Sequence, residues 1–139
     1  MNGFSSWLPR VLIFPVLAWN LQCALAFLIA PQAYAPGFLL EGTPGAAAVR
    51  GMGILFLMWN VPYALALVDP RRLRVSLIEA AVMQGVGFVG ETLLLAGLPA
   101  GFGLLRASIL RFIWFDGAGL LLLLLALAAA SRRFSAARA

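Results

Sequence analysis

Histidine and lysine are both missing from this 139-residue chain, and cysteine occurs once. Without histidine, the commonest general base, metal ligand and haem ligand are gone together. A Ser/His/Asp triad is excluded, and no Cys or His spacing offers a zinc site. Cys23 alone cannot close an intramolecular disulfide, so the redox compartment is not legible. Charge is scarce as well: 11% of residues are charged, with only five carboxylates against ten arginines. A soluble domain carries roughly twice that charged share.

Apolar side chains take the place of charge. They make up 63% of the residues, and the mean hydropathy is +0.99. Four apolar runs, at about residues 11–30, 46–68, 75–98 and 104–130, each reach the roughly 20 residues that cross a hydrocarbon core. Segments rich in Pro and Gly break them apart. The expected fold is an all-α integral membrane four-helix bundle, up-down-up-down with short loops, in one domain covering residues 1–139. A cleaved signal peptide over residues 1–35 is the competing reading, but its apolar stretch is long and Pro36 would follow the cut. The first loop, residues 31–45, carries Tyr34, Phe38, Leu39 and Leu40, which suit a short interfacial helix or a flap over the bundle mouth.

The net charge is +5. The arginines lie between apolar runs rather than along a soluble face, so they signal topology and not nucleic acid. Arg10, the cluster Arg71, Arg72 and Arg74, and Arg132, Arg133 and Arg138 fall on one side of a four-span chain. This bias puts both termini in the cytoplasm and the protein in the plasma (inner) membrane. Heavy use of Ala, Gly, Leu and Arg suggests a bacterial source.

A few polar residues interrupt the runs. At about 100° per residue, Ser76, Ala80, Gln84, Gly87 and Glu91 share one face of the third span. Ser108, Arg111, Phe112, Phe115 and Gly119 line up in the fourth, with Asp116 at the edge. Glu91 and Arg111 are equidistant from Gly101 in the intervening turn, so an antiparallel hairpin is expected to pair them. Asn20, Asn60, Gln84 and Asp116 fall near mid-depth. Glu91, Arg111, Asp116, Gln84, Asn20 and Asn60 are therefore the candidate binding residues. Glu79 is expected to answer the arginine cluster near the interface. Structural bonding between helices, at roughly 0.6 kcal/mol per contact, is the plainer role for any of them.

Trp19-Asn20 with Ala24, Leu25 and Ala26 recurs as Trp59-Asn60 with Ala64, Leu65 and Ala66. The two copies run in opposite directions, as in an inverted repeat. Gly85, Gly87 and Gly90 have dinucleotide-loop spacing, but they lie within a span and read as helix packing. No catalytic residue, metal ligand or cofactor is indicated.

Residues 31–38 after the first span, Arg50, Gly51, Met52 and Gly53 opening the second, and Asp69, Pro70, Arg71 and Arg72 turning into the third together resemble the DoxX-like group of small four-helix bacterial membrane proteins. The resemblance implies an accessory or binding role, some members being similar to membrane subunits of quinone-linked oxidoreductases. It brings no catalytic residue, and the segment from Arg111 to Asp116 departs from it. The expected function is a non-catalytic membrane protein that serves as an accessory subunit or binds a lipid, quinone or similar apolar small molecule around Glu91 and Arg111. The alternative is a small oligomeric or proton-linked transporter using Glu91 or Asp116. Expected partners are membrane lipid and either a larger membrane complex or further copies of the chain.

Overall fold

The computed structural model describes residues 4–136, with side chains for residues 7–131. Every regular element among them is helical. Helix α1 is Phe4–Ile29, the short α2 is Pro31–Tyr34, a 3-10 turn covers Ala35–Phe38, α3 is Gly42–Val68, α4 is Arg74–Gly97 and α5 is Gly103–Ala136. Four of these are long and apolar enough to cross a membrane. The protein is an all-α, multi-pass membrane protein in contact with lipid. Leu and Ala carry the helical propensity, while Pro and Gly segments stop each run. At Gly101 the turn into α5 has φ +99°, a conformation that glycine adopts without the Cβ clash.

The long helices form a ring. Helix α1 packs on α3, α3 on α4, α4 on α5, and α5 closes back on α1. Among the described residues the backbones of the diagonal pairs, α1 with α4 and α3 with α5, stay apart, and α3 reaches α5 through the rings of Phe56 and Phe112, 6.1 Å between centroids. The interior between the diagonals is filled by side chains. Near the termini it is aliphatic, with Ile13, Val16, Leu77, Leu123 and Ala126 sealed from solvent. At the other end α2 and the 3-10 turn fold over the bundle as a flap. Beneath it Phe27 meets Phe38, Phe56 and Phe112 at centroid distances of 5.8, 5.8 and 6.5 Å. The Ser108 hydroxyl donates to the Gly37 carbonyl at 2.7 Å and pins the flap to α5.

Arginines hold the helix ends. A helix C-terminus exposes unsatisfied carbonyls with partial negative charge, which a guanidinium complements. Arg10 of α1 donates to the carbonyls of Leu67 (3.2 Å) and Val68 (2.7 Å) at the end of α3. In return, Arg50 of α3 donates to the Leu28 carbonyl at the end of α1 (3.4 Å). The two arginines precede Trp19-Asn20 and Trp59-Asn60 at equal spacing. The echo between these helices thus extends to a reciprocal contact. Arg106 serves α4 in the same way, through the Leu98 carbonyl at 3.2 Å. The side chains of Arg132 and Arg133, and all of Arg138, lie outside the described residues.

At the α3–α4 turn, Asp69 Oδ1 accepts the backbone amides of Arg71 (3.1 Å) and Arg72 (3.0 Å). The Arg72 amide is the largest influence holding this carboxyl below its ordinary range, helped by the charges of Arg10 and Arg72. A carboxyl lowered in the folded state stabilises it above the unfolded value, about 3.9. That contribution is lost as pH falls through the folded value. In an acid titration of the thermal midpoint, Asp69→Asn should lower the midpoint near neutrality and lose less than the parent below about pH 4; parallel curves would show that the turn does not depend on the carboxylate.

Candidate functional site

The polar side chains collect between the aliphatic core and the aromatic cluster. Gln84 is the hub. It is 3% exposed, and its side chain joins two neighbouring helices. The Tyr63 hydroxyl of α3 donates to Gln84 Oε1 at 2.6 Å, and Gln84 Nε2 donates to Asp116 Oδ1 of α5 at 2.7 Å. Asn20 of α1 lies beside the same tyrosine hydroxyl. All four long helices therefore contribute to one relay, Asn20–Tyr63–Gln84–Asp116.

Glycines make the room for it. A Cβ on Gly119 would lie 2.6 Å from Gln84 Nε2, and one on Gly87 would collide with Asp116 Oδ2. Gln84 thus occupies the cleft left by Gly119, and Asp116 the cleft left by Gly87. The sequence repeats with the geometry. Gln84-Gly85-Val86-Gly87 on α4 matches Asp116-Gly117-Ala118-Gly119 on α5, preceded by Ser76 and Ser108 at equal spacing. The hairpin has a local two-fold relation in which an amide and a carboxyl exchange places.

This register separates Glu91 from Arg111. On α5, Asp116, Gly117 and Gly119 meet α4, whereas Phe112 turns to the aromatic cluster and Ser108 to the flap. Arg111 is exposed. Its Nε donates to the Ala107 carbonyl and its Nη2 to Ser108 Oγ, both at 3.4 Å, so it bends back along its own helix. Such bending toward the helix N-terminus brings a charged head closer to the interface. The expected Glu91–Arg111 pair does not form. Counting from Gly101 gave similar depth, but depth does not fix which way a side chain faces.

Glu91 instead lies within electrostatic range of Asp116. Among the described residues no arginine pairs with either one. Glu91 Oε2 is buried without a hydrogen-bond partner. Asn60 is buried but outside the relay: its Nδ2 donates to the Phe56 carbonyl at 2.7 Å, and its Oδ1 has no partner. Glu79 is exposed. Sequence reading missed Tyr63; it lies three residues beyond Asn60, the spacing that puts two residues on one helical face. A groove of about 510 Å³ beside the flap, bordered by Gln32, Glu41, Thr43 and Arg50, contains none of the relay residues.

No protein-family model, curated protein or solved structure matches this chain.

Two substitutions separate the packing from mere helix propensity. Gly87→Ala should destabilise the folded protein by about 1–3 kcal/mol, because Asp116 has to move. Gly90→Ala meets nothing within 4 Å and should be neutral or stabilising by up to about 1 kcal/mol. Equal thermal shifts would contradict the reciprocal clefts. A double-mutant cycle with Glu91→Gln and Arg111→Gln should give a coupling below about 0.5 kcal/mol; a larger coupling would restore the contact that the geometry denies.

Proposed function

We propose that the protein is a non-catalytic membrane carrier that binds its cargo in the bundle interior and exchanges protons at Asp116 and Glu91. One observation carries this reading: Asp116 of α5 and Glu91 of α4 are partly buried within electrostatic range of each other, and among the described residues no arginine pairs with either. Placing one charged aspartate at a helix centre costs about 2.5–3.5 kcal/mol, and two adjacent charges add repulsion. Protonation relieves both costs. Tyr63 and Gln84 support the idea by linking Asp116 through hydrogen bonds to the far side of the bundle. The accessory-subunit reading, with a quinone or lipid held at Glu91 and Arg111, has lost the contact on which it rested.

Membership of the DoxX-like group is part of the same proposal. It is supported by the segments that carry the resemblance: residues 31–38 build the flap, Arg50 holds the end of α1, and Asp69 shapes the α3–α4 turn. A plasma-membrane location with cytoplasmic termini is supported by Arg10 and the cluster Arg71, Arg72 and Arg74 at one end of the bundle.

The test is proton movement into liposomes containing purified protein and a trapped pH-sensitive dye, driven by a potassium diffusion potential. Asp116→Asn should lower the rate by about tenfold or more, while Glu79→Gln should behave as the parent. Equal rates for the parent, Asp116→Asn and empty liposomes would end the carrier reading.

A further inference from the structure

The groove beside the flap lies apart from both the relay and the aliphatic core. Its volume of about 510 Å³ falls within the roughly 300–1,000 Å³ of small-molecule sites. Two opposite charges border it, Glu41 and Arg50, and both are exposed. Among the described residues neither is matched. The Glu41 carboxylate caps no amide of α3 and meets no cation. Arg50 uses Nε on the Leu28 carbonyl, and its two terminal nitrogens meet no other group. Opposite charges that border one groove without joining each other suit a ligand that carries both signs.

Depth orders this chemistry. Glu41 stands at the N-cap of α3, at the flap end of a candidate membrane span. Arg50 follows nine residues later, about 13 Å further along the helix axis. Its side chain reaches the end of α1. The face of α3 that carries Thr43, Ala47 and Arg50 into the groove continues inward, at helical spacing, through Ile54, Leu57 and Val61. These three apolar side chains are all exposed. From the membrane surface inward there is thus an anion, then a cation, then an apolar track. A phospholipid with an ethanolamine headgroup carries the complementary series in the same order: ammonium, phosphate, acyl chains.

We propose that this groove binds the headgroup of phosphatidylethanolamine, with the phosphate on Arg50, the ammonium on Glu41 and the acyl chains along Ile54, Leu57 and Val61. The inference does not depend on the carrier reading. An arginine that merely snorkels to the surface would meet the phosphate of any lipid, so Glu41 is what makes the groove selective. Its charge repels a headgroup that is anionic overall, such as phosphatidylglycerol. The choline of phosphatidylcholine is cationic but has no N–H to donate to a carboxylate, whereas a primary ammonium has three. Gln32 and Thr43, also on the groove, offer neutral donors to the phosphate and ester oxygens. A soluble zwitterion would leave the apolar track uncovered.

The experiment uses purified, delipidated protein in dodecyl maltoside. Dioleoyl phosphatidylethanolamine should raise the thermal midpoint by several degrees and appear as a single bound lipid in native mass spectrometry. Dioleoyl phosphatidylglycerol and dioleoyl phosphatidylcholine should bind about tenfold more weakly. Free O-phosphoethanolamine should give no shift. Glu41→Gln removes an exposed carboxylate without a partner, and it should abolish the preference over phosphatidylglycerol. Arg50→Gln should weaken all three lipids; should it fail to fold because the end of α1 is released, Glu41→Gln decides alone. No binding, equal affinity for the three lipids, or a preference unchanged by Glu41→Gln would overturn the proposal. So would a shift from the free headgroup as large as that from the lipid.

Discussion

The hydrogen bond from Gln84 to Asp116 sets the geometry of this bundle. It links α4 to α5 near the middle of both, and it can form only because each helix offers a glycine opposite the other's polar side chain. With that register fixed, Tyr63 joins from α3 and Asn20 approaches from α1. Between membrane helices there is no water to expel, and packing and polar contacts take over the work of association. A relay that touches all four long helices is therefore a structural clamp as well as a candidate site. The two roles are compatible, because a clamp that contains a titratable group is also a sensor of its protonation.

The ends of the bundle are held by a different device. Arg10, Arg50 and Arg106 each close the C-terminus of a neighbouring helix rather than pairing with a carboxylate. Guanidinium groups are suited to this, since they remain charged and present several donors in a fixed plane. The arrangement removes three of the ten arginines from any interior chemistry. It also leaves Glu91 and Asp116 without the partners that a charge count would assign them.

Much of the fold was legible in the sequence. Hydropathy and Pro/Gly breaks gave four spans, and the apolar character of residues 31–45 gave the flap. Wheel positions brought Gln84, Gly87 and Glu91 to the interior, and Asn20, Gln84 and Asp116 were grouped by depth. The failure at Arg111 has a physical cause. Its wheel stripe runs from Ser108 to Gly119, but Arg111 itself is exposed and bends back along its own helix. Hydropathy cannot tell an inward-facing position from an outward-facing one within an apolar span. The repeated Gln/Asp-Gly-x-Gly motif could have done so, since it places each polar side chain opposite the other copy's glycine. Tyr63 was hidden for a simpler reason: a tyrosine in an apolar run reads as bulk until a partner for its hydroxyl is known.

The local two-fold relation also shows where the symmetry is broken. The α5 counterpart of Glu91 is Leu123, which is fully buried in the aliphatic core with Ile13 and Leu77. The half of the hairpin near the termini is thus sealed by leucine where the flap half carries a carboxyl. An inverted pair of equal halves would offer its central relay to both membrane faces alike. Here the halves differ: toward the flap the position seven residues past Gln84 is the carboxyl Glu91, whereas seven residues past Asp116 toward the termini it is the sealed Leu123. In the carrier proposed above, that single difference would put access to Asp116 on the flap side. Any passage to the opposite side has to part the packing of Ile13, Leu77 and Leu123, so the aliphatic core is the barrier against which a carrier of this design would work.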